Sequence, residues 1–140
     1  MSASPSTLIP GLRYRNAPEA IDWLAKVFGF ERQTVIEGEN GVIHHAELTL
    51  GNGMVMLGTG KDDALSQGFK SPLDLGGVET CSLYLVVPDA DAAHARAVAV
   101  GAQVVRSIQN TPYGSREFIV KDPEGHTWTA GTYDPWCKQE

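Results

Sequence analysis

Residues 113–133 read YGSREFIVKDPEGHTWTAGTY. Phe118, Ile119 and Val120 form an apolar run, and Thr127 to Tyr133 resumes with β-branched and aromatic residues. Both compositions favour a strand. Between them, Asp122-Pro123-Glu124-Gly125 has the make-up of a turn, because proline presets φ and glycine takes φ > 0 without steric cost. The stretch therefore predicts a hairpin. A shorter stretch upstream, GNGMVMLG at 51–58, predicts the end of another, and each follows a strand and a helix.

The two halves can be laid side by side. In the first, Leu8 to Tyr14 reads as a strand entered through Pro10. Asn16 is placed as a helix N-cap, with Glu19 to complete a capping box and Pro18 in the tolerant first turn. Ala20, Ile21, Leu24 and Phe28 then recur at helical spacing, and Gly29 stops the helix. Trp23 lies off that stripe and is expected to be partly buried. Phe30–Glu37, Val42–Leu50 and Met54–Gly58 follow as strands. In the second half, Thr80–Val87 is a strand and Asp89 caps an alanine-rich helix, Ala90–Val100. Gly101 closes it, Ala102–Ile108 is a strand, and the opening hairpin completes the unit. Cap, helix-closing glycine and turn glycine recur at about 72 positions, the mark of an internal repeat. The expected fold is α+β: two tandem βαβββ modules at 8–58 and 80–134 in one structural domain. Their sheets would curve around a cleft with the helices outside, because one sheet and one helix cannot bury a core alone. Residues 59–79, rich in Gly, Ser, Asp and Lys, are expected to be a linker or flap.

Composition removes several function classes. The chain has 140 residues, 42% hydrophobic and 20% charged, with a formal net charge of −6. That charge, without a Lys/Arg cluster, argues against nucleic acid. No apolar run approaches a membrane span. The start, MSASPSTLIP, lacks the pattern of a secretory signal. Cys81 and Cys137 read as free thiols of a cytoplasmic protein.

The repeat, AIDWLAKVFGF (20–30) and YGSREFIVKDPEGHTW (113–128) together resemble the glyoxalase / bleomycin-resistance / extradiol-dioxygenase superfamily, the vicinal oxygen chelate fold. The details are nearest to its PhnB-like and bleomycin-resistance-like branches, and the resemblance covers roughly residues 8–134. It implies a small homodimer with a ligand cleft. Catalytic members hold a divalent ion with His, Gln or Glu from the first and last strands of each module, and the ion polarises vicinal oxygens of the substrate. Residue by residue, those positions map to Ile9, Leu57 (Met56 with a one-residue slip), Ser82 and Thr129. Such a set offers no tight site for a hard or borderline cation, so neither a metal nor another cofactor is expected.

The remaining candidates come from strand alternation. His45 and Glu47 share a face and are the candidates for acid–base chemistry, the ordinary alternative being a hydrogen-bonded pair at a cleft wall. His44 would point the other way, as a core histidine. His126 is expected to bond within its turn, and His94 to sit on the helix surface. Ser82 and Tyr84 should share a face with Thr127 and Thr129, and Tyr84 could stack on a ligand. Arg116 could meet an anionic group or pair with Glu117 or another surface acid. Trp128 is expected in the core. The ligand-binding candidates are thus Tyr84, Arg116, Ser82, Thr129 and His45. The expected activity is sequestration of a small, partly aromatic or amide-rich molecule. The alternative is a lyase, isomerase or dioxygenase with an atypical metal or acid–base site.

Overall fold

Asn16 and Asp89 start two helices. In the computed structural model, which describes residues 4–61 and 66–137, helix α1 spans Ala17–Phe28. The Glu19 amide donates to the Asn16 side chain at 3.2 Å, and the Asn16 side chain donates to the Glu19 carboxylate at 3.0 Å. This reciprocal cap satisfies donors that a helix start leaves unpaired. Gly29 ends the helix at φ 86°, a left-handed conformation open to a residue without a Cβ. Helix α2 spans Ala90–Ala99 behind Asp89, whose side chain accepts from the Ala92 amide at 3.0 Å.

Among the described residues, eight strands form two four-stranded sheets. β1 (Gly11–Tyr14), β2 (Glu31–Glu37), β3 (Ile43–Leu50) and β4 (Gly53–Thr59) lie in the order β1-β4-β3-β2. β5 (Leu83–Val86), β6 (Gln103–Asn110), β7 (Arg116–Lys121) and β8 (Thr127–Gly131) lie in the order β5-β8-β7-β6. In each sheet the first and last strands pair parallel and the other pairs are antiparallel. The βαβββ order thus occurs twice, as the repeat predicts. The chain divides into two compact units: residues up to Val78 together with Pro123–Gly125, and Glu79–Asp122 together with the residues from His126 on.

Each unit buries one face of its sheet under its own helix. In the first, α1 lies against β1, β3 and β4, and Ile21, Leu24 and Val27 are buried with Tyr14, Ala46, Leu48 and Leu57. Each large apolar side chain buried this way contributes roughly 1.5–3 kcal/mol. In the second, α2 lies against β6, β7 and β8, and Phe118, Val120, Trp128 and Ala130 are fully buried. The Trp128 indole N–H donates to Asp122 at 3.1 Å, so the buried ring keeps a polar partner. His94 packs edge-on against Phe118, ring centres 5.2 Å apart. Trp23 is half-buried and meets Phe28 edge-on at 5.6 Å.

Several expectations need correction. β1 begins at Gly11 instead of Leu8, which is exposed. Pro10 has no N–H to give a ladder, although its carbonyl accepts from the Met56 amide. β5 begins at Leu83 instead of Thr80. His44 is exposed, not a core histidine. The register steps from Ile36↔His45 to Glu37↔Ile43, so His44 is the extra residue of a bulge. That bulge is why Ile43 and Ala46, three positions apart, are both buried. Within 59–79, the described residues hold 3-10 turns at Ser66–Gly68 and Pro72–Leu75, and Ser71 and Pro72 are buried. Part of that predicted flap, 62–65, lies outside the described residues.

Candidate functional site

On the second sheet, Phe118, Val120, Trp128 and Ala130 point to α2. Alternation then turns Glu117, Ile119, Thr127, Thr129 and Gly131 to the opposite, helix-free face. Cross-strand register adds the neighbours. Tyr84 pairs with Thr129, Val86 and Glu117 both with Gly131, and Arg106 with Ile119. The predicted pairing of Tyr84 with Thr129 on one face is therefore observed. Ser82 precedes β5 and is exposed.

Glu117 is the unusual member of this face. It stands in an apolar strand and is only 2% exposed. Its Oε1 accepts from Arg106 Nη2 at 2.6 Å and from the Tyr113 hydroxyl at 2.6 Å. Its Oε2 has no partner, and neither does Nε of the same Arg106, although both atoms are buried. Gly131 forms the floor: a Cβ there would lie 2.7 Å from the Tyr84 hydroxyl, 2.8 Å from Ser115 Oγ and 3.0 Å from Glu117 Cβ. The Tyr84 hydroxyl donates to the Tyr133 carbonyl at 2.7 Å, and the Tyr113 and Tyr133 rings meet edge-on at 5.6 Å. Donation to Glu117, and then desolvation, raises the ionisation of Tyr113 above the ordinary phenol range. Partial burial does the same for Tyr84. Both hydroxyls thus stay neutral donors at physiological pH. Sequence reading missed Glu117, Tyr113, Arg106, Ser115 and Gly131 as a group. The available signal was an acid set inside the apolar run of REFIV.

Arg116 points the other way. Its guanidinium makes two contacts of 2.9 Å with Asp91 of α2 and a third, at 3.3 Å, with Asn110. It is therefore held in an exposed ion pair on the helix side of the sheet and is not part of this face. Asp91 is pushed below the ordinary carboxylate range by that partner.

In the first unit, His45 and Glu47 meet as predicted, with Nε2 to carboxylate 3.0 Å. Hydrogen bonds from His45 and then Gln33 hold the Glu47 carboxyl below its ordinary range. Both side chains remain partly exposed. Glu47 pairs across to Met56, so Met56 shares this helix-free face. Leu57 is buried on the α1 side, which corrects the mapping: the matching last-strand position is Met56, not Leu57.

Two further carboxylates are structural. Glu124 accepts from the amides of Arg15 and Asn16, each at 2.7 Å, and from the Ser71 hydroxyl at 2.6 Å. Arg15 also pairs with Asp74. Glu79 accepts from the Thr127 amide at 2.8 Å and stands 3.4 Å from His126 Nδ1, a partner from outside the turn; the bond expected within the turn is made by the His126 amide, which donates to the Asp122 side chain at 3.1 Å.

The positions matched to the metal ligands carry Ile9, Met56, Ser82 and Thr129. An alkyl chain, a thioether and two neutral hydroxyls do not fit a site for a divalent ion, which takes anionic or imidazole donors. Among the described residues, no three His, Cys, Asp or Glu side chains are grouped to hold a metal. No helix among them is long and apolar enough to cross a membrane, and Cys81 and Cys137 are free and exposed.

Comparison with known proteins places the chain. Residues 8–130 match the model of the Glyoxalase/Bleomycin resistance protein/Dioxygenase superfamily. Uncharacterized proteins of Mycobacterium bovis and Mycobacterium tuberculosis are 33% identical over 124 residues, 89% of this chain and 81% and 72% of theirs. The crystal structure of TioX from Micromonospora sp. ML1 is 33% identical and superimposes with a TM-score of 0.69 over 90% of this chain and 97% of that one. A glyoxalase I variant from Zea mays shares the fold at a TM-score of 0.68 with 16% identity, over 90% of this chain and 44% of that one. With the family model spanning both repeats and the βαβββ order present twice, this chain belongs to the Glyoxalase/Bleomycin resistance protein/Dioxygenase superfamily.

Proposed function

We propose that this protein binds a small, partly aromatic or amide-bearing molecule on the helix-free faces of its sheets, without the divalent ion of the catalytic relatives. The donor chemistry supports this above all: Ile9, Met56, Ser82 and Thr129 occupy the matched positions and lack the charge that offsets dehydration of an ion. What remains on the second sheet is a surface suited to holding a molecule. Tyr84 and Val86 are exposed there, at 39% and 46%, beside hydrogen-bonding groups on Thr129, Ser115 and Glu117. The net charge of −6 modestly favours a cationic over an anionic ligand. The proposal includes a homodimer, for which Trp136 and Phe69, exposed at 92% and 53%, offer apolar contact.

A second reading is favoured by the 3.0 Å contact between His45 and Glu47. A carboxylate that orients an imidazole suits a general base, and the protein would then be a lyase, isomerase or dioxygenase. One experiment separates the two: elemental analysis of protein purified without chelator, alongside thermal-shift screening of small aromatic amides and amines. Binding without stoichiometric metal, in the wild type and in His45→Ala alike, is the expected outcome. A stoichiometric Zn, Ni, Fe or Mn signal that disappears in His45→Ala would transfer the assignment to the enzyme.

A further inference from the structure

The Arg106–Glu117 ion pair is joined on one side only. Arg106 Nη2 and Glu117 Oε1 meet at 2.6 Å, while Arg106 Nε and Glu117 Oε2 are buried and without partners. One guanidinium and one carboxylate could satisfy each other through two parallel bonds. Here the second bond is unmade, which leaves one buried donor and one buried acceptor on a single ion pair. Leaving such groups unpaired is costly, and Tyr113 cannot help because its hydroxyl donates to Oε1.

We propose that this half-open pair recognises an amide with N–H and C=O on one edge: a primary carboxamide or a lactam. The ligand N–H would donate to Glu117 Oε2, and its C=O would accept from Arg106 Nε. The inference rests on the small-molecule-binding reading above and specifies the group that is held. Other chemistries satisfy only half of the pair. A carboxylate could accept from Arg106 Nε but would face the anionic Oε2. An ammonium could donate to Oε2 but would leave Nε without an acceptor, beside a like charge. An ester has no N–H. Tyr84 and Val86 flank Gly131 and Thr129 on the same face, so an aromatic ring attached to the amide would have apolar surface to cover. Gly131 keeps the floor low enough for this arrangement, since a Cβ there would collide with the Tyr84 and Ser115 hydroxyls and with Glu117.

The test is amide-resonance NMR on the full chain, titrated separately with benzamide, benzoate, benzylamine and methyl benzoate. Benzamide is expected to move the resonances of Arg106, Glu117 and Gly131, and to bind about tenfold more tightly than the other three. Glu117→Gln, which keeps the shape but can present an N–H where the ligand needs an acceptor, should weaken benzamide by about tenfold. Its thermal midpoint, measured in parallel, verifies that the variant is folded. Benzoate, benzylamine or methyl benzoate binding as tightly as benzamide would overturn the amide assignment. Benzamide shifts confined to the first sheet and insensitive to Glu117→Gln would overturn the site while leaving the binding reading intact. Absence of any shift with every probe, and of any hit in the thermal-shift screen, would overturn both.

Discussion

Glu124 and Glu117 stand on either side of Asp122 in one hairpin, and both are buried, at 4% and 2% exposure. Their bonding differs. Glu124 uses both oxygens: Oε1 takes the Arg15 amide and the Ser71 hydroxyl, and Oε2 takes the Asn16 amide. Two of those donors are backbone groups at the start of α1, where a carboxylate is favoured by the helix dipole and by otherwise unpaired N–H groups. Glu117 spends one oxygen on Arg106 and Tyr113 and leaves the other free. A carboxylate with both oxygens engaged by its own chain holds the fold. One with a buried oxygen unspent has capacity for something that is not part of the chain. Burial alone does not separate the two; counting the donors does.

The largest effect that would break this contrast is on stability. Glu124→Ala should cost about 3 kcal/mol, because it strands two backbone donors and a buried hydroxyl together. Urea unfolding measures it, and a loss no greater than that of Glu117→Gln would contradict the division into structural and spare carboxylates. Glu117→Gln itself should cost less, since Arg106, with 40% of its side chain exposed, can turn to solvent.

Gly131→Ala comes next, at about 1–3 kcal/mol, the usual cost of overpacking. The added methyl meets two hydroxyls and the Glu117 Cβ within 3.0 Å. Calorimetric unfolding together with the benzamide titration sharpens the comparison: both stability and probe affinity should fall. A Gly131→Ala variant with wild-type affinity would mean that the floor is not part of the site.

The smallest effect is on pH. In the fold, the neutral Tyr113 hydroxyl donates to Glu117, so its ionisation lies above the ordinary 10.0. A raised folded value favours the protonated form. Its contribution to stability is complete below the unfolded value of about 10 and is lost as pH rises through the folded value. In ultraviolet phenolate titration the Tyr113 step should come late and should move down in Glu117→Gln, because the largest cause of its shift is then removed. If titration is the same in both proteins, the Tyr113–Glu117 bond is absent in solution.

Much of the fold was legible because it is local. Asn16, Glu19 and Gly29 carry cap and stop chemistry within one helix, and the turn at Asp122–Gly125 is set by proline and glycine. The repeat then multiplied those local signals by two, and it brought the family into view. His44 was misread because a bulge shifts alternation by one residue, and bulges leave no mark in a single strand's sequence. The resemblance maps to Leu57, or to Met56 with a one-residue slip, and the pairing Glu47↔Met56 decides which side chain faces away from α1.

The two caps and the hairpin turn were determined by the sequence alone, since each depends on the side chain itself or on neighbours within a few positions. The half-open pair was decided by tertiary structure alone. Arg106, Tyr113, Glu117 and Gly131 come from two strands, a loop and the end of a third strand. Only the register of β6 and β8 on β7 sets a guanidinium, a phenol and a glycine floor around one carboxylate. Hydrogen bonding is directional and short-ranged, so which lone pair stays free is a property of that register and not of any residue's identity.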